Sequence, residues 1–117
     1  QALRSGKVGL KEAIRLALSR ASHTIKVEVE VETLEEVREA VEAGAHIIML
    51  DNMPVDLMRQ AMDIVAGRAV VEASGNITME TVRAVAETGV DLISIGGLTH
   101  SVTALDISLD LEFSPAV

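Results

Sequence analysis

Four apolar runs rich in Val and Ile begin near Ile25, Ile47, Ala69 and Leu92, recurring every 22 or 23 residues, and each gap between them carries a stretch with helical periodicity. So short a period has room for one strand, one helix and two tight connections. Strands joined through single helices run parallel, with right-handed crossovers. The pattern predicts an α/β chain of parallel βα repeats with about four strands. Two architectures satisfy it: half of a TIM-like barrel, or an open doubly wound, flavodoxin-like sheet. A complete eight-stranded barrel takes roughly 250 residues, and the chain has 117.

The junctions carry their own punctuation. Glu42-Ala43-Gly44-Ala45 before Ile47-Ile48-Met49-Leu50 is echoed by Glu87-Thr88-Gly89-Val90 before Leu92-Ile93-Ser94-Ile95. Both put Gly where a helix ends in a left-handed residue, and Gly67 before Arg68-Ala69-Val70-Val71 repeats the device. Thr33 with Glu36 forms a capping box, and Pro54 suits a first helical turn. Leu34, Val37 and Val41 give one helix its apolar face; Met58, Ala61, Met62 and Val65 give a second, and Val82, Val85 and Ala86 a third. An opening helix around Leu10, Ile14, Ala17, Leu18 and Ala21 precedes the first strand. Residues 1–113 read as one partial α/β barrel domain, and Ser114-Pro115-Ala116-Val117 as a frayed tail.

Apolar residues make up 49% of the chain, enough for a core, while 18 Asp and Glu against 10 Lys and Arg give a net charge of −8. That acidity repels phosphate backbones, and Phe113 is the sole aromatic, so nucleic-acid partners are excluded. The longest apolar run, around Ile47 to Leu50, falls far short of the roughly 20 residues that cross a bilayer, so no membrane association is expected. The absence of Cys removes disulfides, thiolate metal sites and Cys nucleophiles, and fits a cytoplasmic setting. A start at Gln1 without Met suggests that an upstream portion has been removed. Unpaired sheet edges invite a second copy, so a homo-oligomer is expected.

Strands covered on both faces should be almost wholly apolar. Ile25-Lys26-Val27-Glu28-Val29-Glu30-Val31-Glu32 is not: its odd positions form a β-branched face and its even ones a charged face. This is either an edge strand with a solvated face or a barrel strand lining a wet cavity. Asp51-Asn52 follows Ile47 to Leu50 directly, which puts a carboxylate at the C-terminal end of a parallel strand, where α/β folds keep their ligands. Asn52 alternatively caps the next helix. Ser74-Gly75-Asn76 and Gly96-Gly97-Leu98-Thr99 end the next two strands, and each reads as a tight turn or, with a following helix N-terminus, as half of a phosphate cradle. His23 reads as a loop residue and His46 as a strand-entry residue on the opposite rim, while His100 lies beside the proposed cradle. Glu35, Glu36, Glu39 and Glu42 read as a solvated helix face, and Met49, Met53, Met58 and Met62 as core filler.

Together, Val27-Glu28-Val29-Glu30-Val31-Glu32-Thr33-Leu34-Glu35, Ile47-Ile48-Met49-Leu50-Asp51-Asn52-Met53, Glu72-Ala73-Ser74-Gly75-Asn76-Ile77-Thr78, Ala86-Glu87-Thr88-Gly89-Val90-Asp91, Gly96-Gly97-Leu98-Thr99-His100-Ser101 and Ala104-Leu105-Asp106-Ile107-Ser108-Leu109 resemble the quinolinate phosphoribosyltransferases. The resemblance runs in order along nearly the whole chain. It implies the C-terminal part of a barrel domain and an enzyme that makes nicotinate mononucleotide, pyrophosphate and CO2 from quinolinate and phosphoribosyl pyrophosphate, with Mg2+, in NAD biosynthesis. By position it implies that Glu30 and Asp51 are catalytic, facing the ribose and the metal-pyrophosphate end, and that Ser74, Gly75, Asn76, Gly96 and Gly97 bind substrate phosphate. Asn76 stands where many relatives have Gly, and Gly97 where Ala is common; neither change removes a backbone N–H. The resemblance also implies that the Arg, His and Lys residues gripping quinolinate belong to segments absent here, since Lys26 and Arg68 match none of those positions, so the 117 residues alone are expected to be inactive. The alternative is an excised or engineered half-barrel scaffold without catalysis, which dimerises or retains sugar-phosphate binding.

Overall fold

Ten short elements follow one another in the computed structural model, which describes residues 2–4, 9–20 and 26–103. They are β1 (Ala2–Arg4), α1 (Leu10–Arg20), β2 (Glu28–Val31), α2 (Leu34–Ala43), β3 (Ile47–Asp51), α3 (Val55–Val65), β4 (Val70–Ser74), α4 (Val82–Glu87), β5 (Leu92–Ile95) and β6 (Leu98–Ser101). Ala21, His23, Ile25, the Ala104–Leu109 motif, Phe113 and the 114–117 tail lie outside the described residues.

The strands form one sheet in the order β1-β2-β3-β4-β5-β6, parallel except for the antiparallel β5–β6 pair. The βα repeat accounts for β2 to β5, and two strands beyond the expected four extend the sheet at its ends. The unreversed order decides between the two architectures. Right-handed crossovers that always step in the same direction put every helix on one face, and each helix packs on the next, α1 on α2, α2 on α3 and α3 on α4. A doubly wound sheet needs a reversal of strand order and helices on both faces. The flavodoxin-like alternative is therefore overturned, and the chain is a barrel segment.

The core lies between sheet and helices. Val29, Val31, Ile48, Leu50, Val71 and Ile93 project from the strands and are fully buried against Ile14, Val37, Ala61, Val65 and Val82 of the helices. Each buried Val, Ile or Leu among them contributes about 1.5–3 kcal/mol relative to exposure. Met53 and Met58 join this core, whereas Met49 and Met62 are only half-buried.

Local chemistry places the helix ends. The Thr33 hydroxyl accepts from the Glu36 N–H at 3.1 Å, and the Glu36 carboxylate accepts from the N–H groups of Thr33 and Glu32, completing the expected capping box. Gly44 ends α2 at φ 88°, its N–H reaching the Ala40 and Val41 carbonyls. At the end of α3 the left-handed cap is Ala66 at φ 48°, one residue earlier than the Gly67 expected from sequence. Pro54 is the N-cap of α3, its carbonyl accepting from the Met58 N–H at 2.9 Å, so Asn52 does not cap that helix. Among the described residues no helix is long and apolar enough to cross a membrane.

Candidate functional site

β2 carries the charged face noted in the sequence. Val27, Val29 and Val31 enter the core, Glu28 and Glu30 are half-buried on the other face, and Lys26 and Glu32 are exposed. Because β2 pairs with β1 on one side and β3 on the other, it is an interior strand, and the edge-strand alternative fails. The acidic face is the helix-free side of the sheet, which a barrel turns inward.

Register sorts that face into rows. Glu28, Ile47 and Val70 share one; Glu30, Met49, Glu72 and Leu92 share the next; Asp51 and Ser74 stand opposite each other in the third, at the strand C-termini. Glu30 and Asp51 are diagonal neighbours, about 8 Å apart at Cα from standard strand spacing and rise. One step further, the Asn52 N–H donates to the Ser74 carbonyl at 2.9 Å, tying the loop after β3 to the loop after β4. Asn52, Gly75 and Asn76 all take left-handed φ, at 56°, 86° and 51°. Gly75 is required for a second reason: a Cβ there would lie on the Asn52 side chain, 2.7 Å from its Cγ, and 3.1 Å from its backbone N. A cavity of about 270 Å3 lies behind these loops, lined among others by Asn52, Gly75, Asn76 and Val85.

Gly96 and Gly97 lie at the same end of β5, but they do not lead to a helix. Their φ values of 59° and 84° make the two-residue turn of a β-hairpin, and β6 follows at once. The loop after β4 likewise does not lead straight into a helix: it runs seven residues, 75–81, closed by a Thr78–Thr81 turn, before α4 begins at Val82. The expectation that helix N-termini complete a phosphate cradle is thus corrected: what the mouth offers is the loop N–H groups themselves. His100 is opposite Ile93, a core residue, while its neighbour Thr99 is opposite Ser94. Strand alternation therefore turns His100 away from the mouth.

The residue that sequence reasoning passed over is Glu72. It is only 6% exposed, and among the described residues it is the one buried charged side chain. Its carboxylate accepts from the Thr99 hydroxyl at 3.4 Å. Burial, and next the Glu28 carboxylate, push the Glu72 carboxyl above the usual carboxylate range, against a smaller lowering from the Thr99 hydrogen bond. A charge inside the apolar run Ala69-Val70-Val71-Glu72-Ala73 was the available signal. The raised value fixes a sign. Above the ordinary carboxylate range the native chain holds a proton that the unfolded chain has lost, so Glu72's contribution to stability is full below that range and disappears as pH rises through its raised value. Glu72→Gln is expected to lift the urea midpoint at pH 8 above that of the unsubstituted chain and to remove this part of the pH slope. A midpoint lowered equally at all pH values would contradict it.

The opposite rim is different in kind. The His46 Nδ1 accepts from the Val27 N–H at 2.8 Å, and Asp91 accepts from the Val71 N–H at 2.9 Å, so both pin strand entries. This matches the rim expected for His46. A larger cavity of about 560 Å3 lies here, with Lys26, His46 and Arg68 in its lining. Arg68 is engaged by the Val65 and Ile64 carbonyls at the end of α3. No Glu30, Asp51 or Ser74 reaches it, and barrels keep their chemistry at the other end.

A one-sided parallel sheet with carboxylates, a serine and glycine turns gathered at the strand C-termini defines a segment of a β/α-barrel enzyme. The chain belongs to the quinolinate phosphoribosyl transferase family: the model of that family's C-terminal domain matches residues 3–110. It is 48% identical over 103 residues to a probable carboxylating nicotinate-nucleotide pyrophosphorylase of Bacillus subtilis, covering 88% of this chain and 36% of the relative. A probable enzyme of the same name from Methanocaldococcus jannaschii is 44% identical over 111 residues, with 89% and 39% covered. The crystal structure of NadC from Streptococcus pyogenes superposes with a TM-score of 0.74 at 40% identity, covering 85% of this chain and 36% of that one. The chain thus spans little more than a third of the length of these three relatives.

Proposed function

We propose that this chain is the sugar-phosphate half of a quinolinate phosphoribosyltransferase active site, which in the complete enzyme forms nicotinate mononucleotide, pyrophosphate and CO2 from quinolinate and phosphoribosyl pyrophosphate in NAD biosynthesis. The observation that carries this reading is Asp51 in register with Ser74 at the strand C-termini, with the loops behind them joined by the Asn52–Ser74 hydrogen bond. In the reaction the pyridine nitrogen bonds to C1′ of the ribose while the C1′–O bond breaks and pyrophosphate leaves with the electron pair. The ring carboxylate next to that nitrogen departs as CO2, and the electron pair left on carbon takes a proton. Positive charge develops on the ribose, and the Glu30 and Asp51 carboxylates favour it. The Ser74 hydroxyl and the N–H groups of Gly75, Asn76, Gly96 and Gly97 hold phosphate oxygens.

The donor set fits Mg2+ of a particular kind. Among the described residues no three His, Cys, Asp or Glu form a metal cluster, and Mg2+ is usually held by one or two carboxylates together with waters and substrate phosphates. Glu30 and Asp51 are the two that would hold it or its waters, and the ion would neutralise charge on the departing pyrophosphate. The lack of Cys supports a cytoplasmic setting. Two outermost strands, β1 and β6, with Leu98 of β6 66% exposed, support assembly with further copies.

Calorimetry on the purified 117-residue chain tests the reading. Phosphoribosyl pyrophosphate with Mg2+ is expected to bind and to bind more weakly in Ser74→Ala, and adding quinolinate is expected to release no nicotinate mononucleotide. No binding would reduce the chain to a scaffold. Turnover abolished by Glu30→Ala would show that the missing basic residues are unnecessary. Light scattering on the same sample reports assembly, and a monomer at every concentration rejects it.

A further inference from the structure

Glu72 is buried in the inward face yet has no part in the chemistry above, and its partner stands at the mouth. Glu72 pairs with Leu92, and Ser74 and Ser94 each lie two residues further along the same strands. Ser94 is opposite Thr99. Asp51, Ser74, Ser94 and Thr99 therefore form one lateral row across β3 to β6, three of its four members being hydroxyls. Thr99 is exposed and lies two residues beyond Gly97, while the Glu72 carboxyl reaches it across β5 from the row beneath.

We propose that Glu72 is a positioning residue of this mouth: through Thr99 it sets whether a hydroxyl beside the Gly96-Gly97 turn can donate to a bound phosphate. The proposal rests on the reading of the mouth as a sugar-phosphate site. A threonine hydroxyl has one proton. An ionised Glu72 only accepts, so Thr99 must spend that proton on it and presents lone pairs to the mouth. A protonated Glu72 donates to the Thr99 oxygen instead, which frees the threonine proton for an anion. The burial of Glu72 and its nearness to Glu28 favour the protonated form. Among the described residues the other charged groups on this face are Lys26, Glu30 and Glu32 of the β2 segment and Asp51 of β3, and Arg4 of β1 takes the register position beside Glu30. β5 and β6 bring only Ser94, Ser101 and Thr99 to it. Met49 stands between Glu72 and Glu30 in their shared row.

Inorganic sulfate is the probe, because it stays a dianion throughout the carboxylate range and above it, so a pH dependence of its binding belongs to the protein. Its affinity is read from amide shifts of Ser74–Asn76 and Gly96–Gly97 in the isotope-labelled chain. Once Glu72 ionises, sulfate binding is expected to weaken by up to about tenfold per pH unit. Glu72→Gln, whose amide N–H can donate to Thr99, should bind as tightly at high pH as at low. Thr99→Val should bind weakly throughout and lose the slope, and Thr99→Ser should restore both. An equal slope in Glu72→Gln would overturn the proposal while leaving the mouth an anion site. A full slope surviving in Thr99→Val would reduce Glu72 to plain charge repulsion and overturn it too. No sulfate-dependent shift at those amides at any pH would overturn both the proposal and the sugar-phosphate reading.

Discussion

Gly75→Ala is expected to destabilise the chain by about 2–4 kcal/mol, near the upper end of what single substitutions do. Two costs combine at this position. At φ 86° any L side chain is strained, by about 1–2 kcal/mol. The new methyl would also meet Asn52 from two directions, its side-chain amide and its backbone N at 3.1 Å. The amide can rotate away, but the backbone cannot, because its N–H is bonded to the Ser74 carbonyl. Gly67→Ala separates the two costs: it has a similar φ of 80° with nothing within 4 Å of the added carbon, so only strain remains. Urea unfolding of both variants gives the difference, which measures the contact. The double variant Gly75→Ala/Asn52→Gly should recover part of it, since Asn52 itself holds a left-handed φ that glycine adopts freely. Equal costs for Gly67→Ala and Gly75→Ala would mean that the two loops are not packed as described. The same substitution moves the Ser74–Asn76 amides, so phosphate binding should fall with stability.

What the sequence could and could not reveal follows from which forces write themselves into a local pattern. The βα repeat, the Thr33–Glu36 box and Gly44 are local devices, each complete within a few residues, and they appear in the structure where the sequence put them. β1 is only three residues long, too short for an alternation to register. β6 reads Leu-Thr-His-Ser, polar enough to pass for a loop; it is a strand because the Gly96-Gly97 turn folds it back onto β5. Strand order is invisible to periodicity altogether, so the repeat alone leaves the doubly wound alternative open. The candidate site was legible where a residue stood out by type, as Asp51 did after an apolar run. Ser94 joins it, and Thr99 meets Glu72, only through lateral register, a relation between strands that no spacing along the chain encodes.

Register also shapes what should happen when Asp51 is changed in the complete enzyme carrying this segment. Asp51→Ala is expected to lower kcat/KM for phosphoribosyl pyrophosphate by about 10²–10³-fold, the usual cost of removing one group aimed at developing charge. The more discriminating variant is Asp51→Asn, which preserves shape and hydrogen bonding and removes only the charge. Its effect should split unevenly between the kinetic constants. On the proposed reading Asp51 would face, in the ground state, a substrate whose pyrophosphate is itself anionic, so the charge would contribute little to binding there, or oppose it unless Mg2+ intervenes. In the transition state the ribose becomes positive beside it, and the same charge is attractive. The asparagine variant should therefore lose most of its effect through kcat, with KM for phosphoribosyl pyrophosphate nearly unchanged or lowered, the signature of an interaction made chiefly at the transition state. Raised KM with kcat intact would instead make Asp51 a ground-state anchor for ribose hydroxyls or Mg2+. Ser74→Ala supplies the contrast: Ser74 stands opposite Asp51 in the sheet, but in the proposed site its hydroxyl addresses a phosphate that carries its charge before and after the reaction. Its loss should raise KM and spare kcat. If the two variants showed the same pattern, the division of this row into a charge-stabilising carboxylate and a phosphate-holding serine would be wrong.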